Sequence, residues 1–268
     1  LNDSKVMTAP QREVVFEALL ATSDIVATAA VISASAPVFS VALAVLFLGE
    51  RPTVFIYIGT VTNGQGHDTS YKQIMSDRLG IDTDNLTVVQ GDSDLVPPGL
   101  TGGSRSVTVG GVAVSKASEA IIEKGRKIAA HMLETAEADI DYADATFRVT
   151  GTDRTLSLFD IARAAADPAN LPEGTEPGLD EAYTHAPDVP TYPNGCHICE
   201  VEIDPDTGTL EIQRYTVVDD FGDIVNPLLI EGQVHGGIVQ GLGQALHEHT
   251  VYDDRSGQLV SGSFMDST

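Results

Sequence analysis

The stretch GQGHDT, residues 64–69, lies between an apolar, β-branched run over residues 54–58 and a helical pattern over residues 71–79. This order predicts a strand that leads into a glycine loop, followed by a helix that stops at Gly80. Since glycine carries no Cβ, the loop backbone can come close to a bound group. The first N–H groups of the helix have no partner within it, and the helix dipole places positive charge there. The stretch therefore predicts an anion site, commonly one for a phosphate.

A second pattern of this kind is TGGSRS, residues 101–106, at the start of a long helical pattern over residues 106–134. Arg105 stands between two serines and follows two glycines. A guanidinium binds a phosphate through two parallel hydrogen bonds, and the hydroxyls add further donors. The segment is not a G-x-S-x-G nucleophile elbow, because Ser106 occupies the position of the second glycine. A capped helix with a surface arginine is the other interpretation, and the residues alone leave both open.

A third pattern, GQVHGGIVQGLG at residues 232–243, places five glycines in a helical segment. Glycine costs a helix about 1 kcal/mol relative to alanine, so this composition indicates that something approaches one face closely. Tight packing against a neighbouring helix is the alternative interpretation. That alternative accounts for Gly236 and Gly237 better than for Gln240 and Gly241.

The chain has 268 residues, of which 42% are hydrophobic, and a formal net charge of −24. Its length allows one large domain or two smaller ones with a substantial core. Because so negative a protein repels nucleic acid and anionic membranes, we expect neither as a partner. We interpret the charge as a halophile's adaptation to high salt, which screens self-repulsion. The alternative is simply an acidic mesophilic protein.

Two cysteines, Cys196 and Cys199, form a single CxxC motif. The surrounding residues alternate as in a strand, so the two sulfurs should point to opposite faces. The sequence therefore predicts buried structural cysteines in a reducing cytoplasm rather than a redox pair or a zinc site. Four histidines are interpreted as solvated or packed side chains rather than metal ligands, namely His67, His235, His247 and His249.

The predicted fold class is α+β with mixed α/β character, in which two lobes of mixed sheet carry packed helices. Residues 51–166 form the first lobe, residues 167–192 form a linker rich in Pro, Gly and acid, and residues 193–268 form the second lobe. Residues 1–50 are a divergent segment. The uncharged part of that segment, residues 25–48, is long enough to span a bilayer. A central proline and several hydroxyl side chains instead favour a buried or poorly ordered segment.

The remaining elements are predicted from local patterns. Alternation indicates strands, turn residues indicate hairpins, and a serine before an apolar run indicates a helix cap. The predicted elements are strands over residues 53–60, 86–90 and 146–149, a helix capped by Ser157, a hairpin that turns at residues 204–208, a helix over residues 228–248, and a last hairpin that turns at residues 254–257.

Four stretches together resemble the molybdenum-binding large subunit of the xanthine dehydrogenase and aldehyde oxidase superfamily. The resemblance is greatest to the large chain of the carbon monoxide dehydrogenase type. The order and spacing of the four stretches make it far more specific than any single stretch. They are GQGHDTSYKQ from Gly64, VVQGDSDLVPPGLTGGSRS from Val88, NGCHICEVEIDPDTGTLEI from Asn194 and NPLLIEGQVHGGIVQGLGQALHE from Asn226.

The resemblance implies a molybdopterin cofactor, the molybdenum cofactor, in its cytosine dinucleotide form. In this family the dithiolene of the pterin holds the metal, so no residue of this chain is expected as a metal ligand. The general-base glutamate of the family belongs to a segment beyond residue 268, so no catalytic residue is expected in this chain. The residues that match the family's cofactor contacts are Gln65, Gly66, His67 and Thr69 in the first stretch, Gly103, Ser104, Arg105 and Ser106 in the second, and Gln240 and Gly241 in the fourth.

The implied activity is that of a molybdenum-dependent oxidoreductase of the xanthine, aldehyde or carbon monoxide type, which hydroxylates a carbon centre with oxygen from water. Electrons would pass to a 2Fe-2S subunit and an FAD-binding subunit of the same cytoplasmic complex. Residues 1–50 do not resemble the strands that precede the glycine loop in the family. We therefore expect a central piece of a large subunit with foreign ends, inactive by itself. A phosphate- or nucleotide-binding module without redox activity and an inactive truncated fragment are the alternatives.

Overall fold

The computed structural model describes residues 39–48, 51–188 and 191–263. They fall into two compact units, of which the first ends at Pro190 and the second begins at Thr191. Helices and strands are mixed along the chain, which confirms the predicted α+β class. Within the described ranges no helix is both long and apolar enough to cross a bilayer. Predictions for residues 1–38, including much of the uncharged segment, lie outside the described residues.

The first unit is built on a four-stranded sheet. Its strands are β1 (Phe39–Leu48), β2 (Arg51–Ile58), β3 (Leu86–Gln90) and β7 (Glu181–His185), in the order β3-β2-β1-β7. β2 pairs with β3 in parallel, whereas β1 pairs antiparallel with β2 and with β7. Because parallel strands end at the same edge of a sheet, the loop after β2 begins beside Gln90, the register partner of Ile58.

Two strands of this sheet differ from the sequence-based expectation. The N-terminal segment was expected to lack the strands that precede the glycine loop, and this expectation is wrong for residues 39–48, which form β1. An uncharged, largely apolar run suits a strand that is paired on both sides. β7 lies within residues 167–192, the predicted linker, and an ion pair of 3.4 Å joins its Glu181 to Lys124. The predicted lobe boundaries themselves stay a prediction.

Helix α1 (His67–Leu79) follows the glycine loop and leads back towards β3. Glycines in the left-handed conformation bound it on both sides, Gly66 before it and Gly80 after it. A Cβ on Gly80 would lie only 2.7 Å from Cα of Asp144, so packing as well as the left-handed backbone requires a glycine where the sequence predicts the helix to stop. The apolar side chains that α1 buries in the core are Tyr71, Met75 and Leu79.

The second long helix begins with a π-helical segment, Ser106–Gly111, and continues as α2 (Val112–Met132). The sequence predicts a single regular helix here, so the widened start is a difference. In this segment the buried Gly110 lies close to Tyr71. A Cβ on Gly110 would be only 2.7 Å from the Tyr71 hydroxyl oxygen. π-helical turns are rare and occur often at functional sites.

A smaller antiparallel sheet and a short helix follow α2, namely β4 (Ile140–Ala143), β5 (Thr146–Val149), β6 (Thr155–Ser157) and α3 (Leu158–Ala164). The helix cap predicted at Ser157 is confirmed. The Ser157 hydroxyl accepts a hydrogen bond from the Asp160 N–H at 3.1 Å, and the Asp160 carboxylate accepts one from the Ser157 N–H. These reciprocal bonds form a capping box.

The main core of the first unit is an apolar cluster around α2, and a smaller cluster lies around Tyr57 and Val96. The main cluster joins side chains of β2, α1, α2, the smaller sheet and α3. Each large side chain that is fully buried stabilises the fold by about 1.5–3 kcal/mol relative to its exposed state. The largest of them are Tyr71, Phe147, Ile56, Ile58, Met75, Leu79, Ile121, Ile128, Leu158, Ile161 and Leu179.

The second unit contains a hairpin and a helix, namely β8 (Asn194–Ile203), β9 (Leu210–Asp220) and α4 (Pro227–Leu246). These elements confirm the predicted turn at residues 204–208 and the predicted helix. Asn226 caps α4, since its side-chain oxygen accepts a hydrogen bond from the Leu229 N–H at 3.2 Å. The last predicted hairpin is present as an isolated bridge between Tyr252 and Leu259.

The prediction of buried cysteines is wrong. Cys196 and Cys199 are both exposed free thiols. Strand alternation implies burial only where another layer covers one face, and every residue of β8 is exposed in the described part of the chain.

We predict that Gly125→Ala destabilises the first unit. A Cβ at this position of α2 would lie 2.5 Å from Cζ of Phe147, a fully buried ring. Overpacking of this kind costs about 1–3 kcal/mol, which outweighs the roughly 1 kcal/mol that alanine adds in helix propensity. Urea unfolding measures the change. Gly102→Ala is the control, because its Cβ would meet no atom within 4 Å. A midpoint for Gly125→Ala at or above that of the control would contradict this packing.

Candidate functional site

Two loops of the first unit lie side by side beyond the carboxyl end of β2. We call residues 59–66 the glycine loop and residues 97–106 the arginine loop. The Thr101 hydroxyl donates to the Val61 carbonyl at 2.8 Å and accepts from the Val61 N–H at 3.1 Å. A backbone hydrogen bond of 2.9 Å between the loops adds to this pair. The structure therefore joins the first two segments that the sequence predicts for anion binding.

Tyr71 ties both loops to the core. Its hydroxyl donates to the Ser106 carbonyl at 3.2 Å, so the Thr60 hydroxyl, 3.1 Å away, donates to Tyr71. The Tyr71 side chain is fully buried. Burial raises the pKa of Tyr71, and the hydrogen bond from Thr60 offsets only part of this rise. Tyr71 is therefore a neutral phenol that holds the start of the glycine loop and the start of the π-helical segment together.

Three polar side chains form a row next to the glycine loop. Gln65 Nε2 lies 2.9 Å from His67 Nε2, and His67 Nδ1 lies 3.1 Å from Gln90 Oε1. His67 is only 1% exposed, and its ring centroid lies 5.3 Å from that of Tyr71. The Asn63 N–H donates to Gln65 Oε1 at 2.5 Å. The Gln65 amide is therefore held at both its oxygen and its nitrogen.

The outer surface of the two loops offers room and donors to a ligand. A Cβ on Gly64 or on Gly103 would meet no atom within 4 Å. Ser104 is exposed and has a φ of 53°, a strained conformation that in residues other than glycine clusters at functional sites. Arg105 is exposed, and among the described residues its guanidinium forms no ion pair. An open glycine cradle with an unpaired cation fits a phosphorylated group.

The residues predicted to contact a cofactor differ in exposure. Those of the first unit that are exposed are Thr69, Gly103, Ser104 and Arg105. Gln65 is half-buried, whereas His67 and Ser106 are buried. Both ring nitrogens of His67 are bound by protein side chains, and the Ser106 carbonyl is bound by Tyr71. Direct contact of any of them with a cofactor stays a prediction.

Sequence reasoning missed the residues that hold the loops in place, namely Thr101, Tyr71 and Gln90. For Gln90 there was a signal, because it is the last residue of β3. The strand that pairs with β3 in parallel leads into the glycine loop, so Gln90 and that loop lie at the same edge of the sheet. No sequence signal distinguishes the Thr101 hydroxyl from the other hydroxyls of its segment.

Gln240 and Gly241 lie on α4 of the second unit, and both are exposed. Gly241 borders a groove of about 320 Å³ that His197, Cys199 and Tyr215 also line. No group of three or more His, Cys, Asp or Glu side chains in the described ranges is placed to hold a metal ion. That Gln240 and Gly241 contact the same ligand as the loops of the first unit stays a prediction.

Comparison with known proteins gives the class of the chain. A family model described as a molybdopterin cofactor-binding domain matches residues 25–268. The chain therefore belongs to the molybdopterin cofactor-binding domain family, as the resemblance in its sequence implies. The match begins before β1, so it includes residues 25–50 of the segment that we expected to be foreign, whereas residues 1–24 lie outside it.

Particular relatives are enzyme subunits of much greater length. The chain is 42% identical over 211 residues to the carbon monoxide dehydrogenase large chain of Hydrogenophaga pseudoflava, covering 78% of this chain and 26% of that protein. It is 39% identical over 219 residues to the nicotine 6-hydroxylase large subunit of Paenarthrobacter nicotinovorans, covering 80% and 26%. Reconstituted CO dehydrogenase from Oligotropha carboxidovorans matches with a TM-score of 0.77 and 36% identity, over 86% of this chain and 28% of that chain. This chain thus spans about a quarter of the length of these curated relatives.

We predict that Tyr71→Phe loosens the arginine loop. The substitution leaves the Ser106 carbonyl without its buried donor, which costs about 1–3 kcal/mol. Hydrogen exchange followed by mass spectrometry should show faster exchange over residues 99–110. Tyr142→Phe is the control, since it removes a hydrogen bond of 2.7 Å to the Leu79 carbonyl, outside both loops. Equal exchange of residues 99–110 in the two variants would contradict the bracing role of Tyr71.

Proposed function

We propose that the glycine loop, the arginine loop and α4 bind the molybdopterin cofactor in its cytosine dinucleotide form, as part of the large subunit of a molybdenum hydroxylase. The family match supports molybdopterin as the cofactor. The dinucleotide form is supported by the resemblance to the carbon monoxide dehydrogenase type. We also propose residues 51–166 and 193–268 as the two cofactor-binding lobes.

The observation that carries this proposal is the junction of the two loops. Thr101 of the arginine loop makes two hydrogen bonds to the backbone of Val61 in the glycine loop. Two segments that the sequence separately assigns to anion binding thus share one edge of the first unit. A phosphorylated cofactor is large enough to use both, whereas an isolated surface arginine would need no such junction.

The side chains and backbone of the two loops supply complementary donors. Arg105 offers a guanidinium, and Ser104 a hydroxyl, to phosphate oxygens. The first N–H groups of α1 have no acceptor within their own helix and present the positive end of its dipole. When bound, the molybdenum cofactor supplies the redox centre at which a carbon atom is hydroxylated with oxygen from water. No metal ligand and no catalytic residue is assigned to this chain.

The proposed hydroxylase works with two further subunits in the cytoplasm. The family resemblance supports transfer of electrons from the large subunit to a 2Fe-2S subunit and an FAD-binding subunit. The named relatives act on carbon monoxide and on nicotine, so we assign the substrate only to the class of small molecules with an oxidisable carbon.

We predict that Arg105→Gln lowers the cofactor content of the protein. Loss of a charge-assisted, bidentate phosphate contact weakens binding by about 10- to 100-fold. Molybdenum per chain and cytidine nucleotide released by acid are measured after purification from a host that makes the molybdenum cofactor. Arg148→Gln is the matched control, because Arg148 is an exposed cation of β5 in the same unit.

The outcomes of this experiment separate the elements of the proposal. Loss of molybdenum in Arg105→Gln but not in Arg148→Gln supports the site. Equal molybdenum in both variants would contradict the role of the arginine loop. Release of molybdenum without cytidine would contradict the dinucleotide form, and wild-type protein that binds a nucleotide without molybdenum would indicate a module without redox function.

We predict that salt stabilises the protein, as the halophile interpretation of its charge of −24 requires. The Debye length falls from about 10 Å at 0.1 M salt to about 3 Å at 1 M, so repulsion among the carboxylates is screened. The midpoint of thermal unfolding should rise with KCl and with NaCl alike. Sucrose is the control for stabilisation by exclusion from the protein surface, since it is excluded in this way but screens no charge. A midpoint that does not rise with salt would contradict the interpretation.

A further inference from the structure

The hydrogen-bond roles in the row Gln65, His67 and Gln90 can be assigned from one fixed donor. The Asn63 N–H is a backbone donor, and it lies 2.5 Å from Gln65 Oε1. A second donor, the Thr62 hydroxyl, lies 3.2 Å from the same oxygen. Because a side-chain amide oxygen only accepts, these two donors fix which end of the Gln65 amide faces the loop backbone.

The orientation of Gln65 then determines the tautomer of His67. With its oxygen occupied, Gln65 presents its NH₂ group to His67 Nε2, which lies 2.9 Å away. His67 Nε2 must therefore accept, so the proton of the neutral ring is on Nδ1. His67 Nδ1 donates in turn to Gln90 Oε1 at 3.1 Å. Each of the three side chains has one arrangement that satisfies its neighbours.

The surroundings of the ring favour this fixed state. His67 is 1% exposed, so water does not replace either hydrogen bond. Its ring lies against Tyr71 with a centroid distance of 5.3 Å and an interplanar angle of 43°, which restricts rotation of the imidazole. Gln90 is the last residue of β3 and is held in register with Ile58 by the parallel ladder, so its side chain starts from a rigid element.

We propose that Gln90 is a positioning residue that acts through His67 on Gln65. Gln90 holds His67 as the Nδ1–H tautomer, and His67 holds the Gln65 amide with its NH₂ group turned away from the loop backbone. One N–H of this group is used by His67, and the other is left as a donor. That this remaining donor serves a bound cofactor rests on the proposed function, whereas the row of hydrogen bonds itself does not.

The test is the tautomer of His67, read from the ¹⁵N shifts of the imidazole nitrogens in two-bond ¹H–¹⁵N spectra of cofactor-free protein. The signals of His67 are assigned by their loss in His67→Asn. Wild-type protein should show a protonated Nδ1 and an unprotonated Nε2, with the Nδ1–H form in excess by about tenfold or more, as two hydrogen bonds require. A wild-type ring that is mainly Nε2–H would overturn the proposal.

Two variants of Gln90 separate a positioning role from a merely structural one. Gln90→Glu keeps an acceptor opposite Nδ1 and should keep the Nδ1–H form. Gln90→Leu keeps the size of the side chain but removes the acceptor, so the ring should shift towards the Nε2–H form. Unchanged His67 shifts in Gln90→Leu would overturn the proposal.

A further variant keeps the proposal testable should Gln90→Leu fail to fold. Gln65→Glu replaces the NH₂ donor by an acceptor opposite His67 Nε2. The ring should then gain a second proton and show two protonated nitrogens, whereas an unchanged neutral Nδ1–H ring would overturn the proposal. Since these spectra need no cofactor, a failure here leaves the molybdenum measurements on Arg105→Gln unaffected, and the two proposals fail separately.

Discussion

A buried hydroxyl joins the parts of the candidate site. Tyr71 Oη lies between the Thr60 hydroxyl, at the start of the glycine loop, and the Ser106 carbonyl, at the start of the π-helical segment. Because Tyr71 is fully buried, neither contact can be exchanged for water without cost. The phenol also lies close to Gly110, which explains why a residue without a Cβ occurs there. Strand, loop and helix thereby share one fixed point.

Further hydrogen bonds join the two loops to each other and fix the side chains between them. Thr101 makes the outer junction to Val61, while the row from Gln90 through His67 sets the Gln65 amide. Of the supporting groups, Tyr71, Thr60 and His67 are buried, whereas Gly103, Ser104 and Arg105 of the arginine loop are exposed. In a chain with a net charge of −24 this cation is a local exception, which suits the recognition of an anionic cofactor. The family match supports molybdopterin as the cofactor of this chain.

The sequence predicted well those elements whose start or end depends on neighbouring residues in the chain. The glycines around α1, the cap at Ser157 and the turn at residues 204–208 are each defined by neighbouring residues. Features that depend on distant partners were missed. β1 is set by pairing with β2 and with the remote β7, and its lack of charge alone suits several structures. The exposed cysteines and the Thr101 junction likewise depend on what packs against them.

The position of the metal tests the central claim most directly. Crystals of the protein loaded with its cofactor, measured at the molybdenum absorption edge, locate the metal by anomalous scattering. The account predicts a molybdenum peak next to the glycine loop, with cofactor phosphate oxygens within hydrogen-bonding distance of Arg105. A molybdenum peak remote from residues 59–66 and 97–106, or a phosphate bound without Arg105, would contradict it.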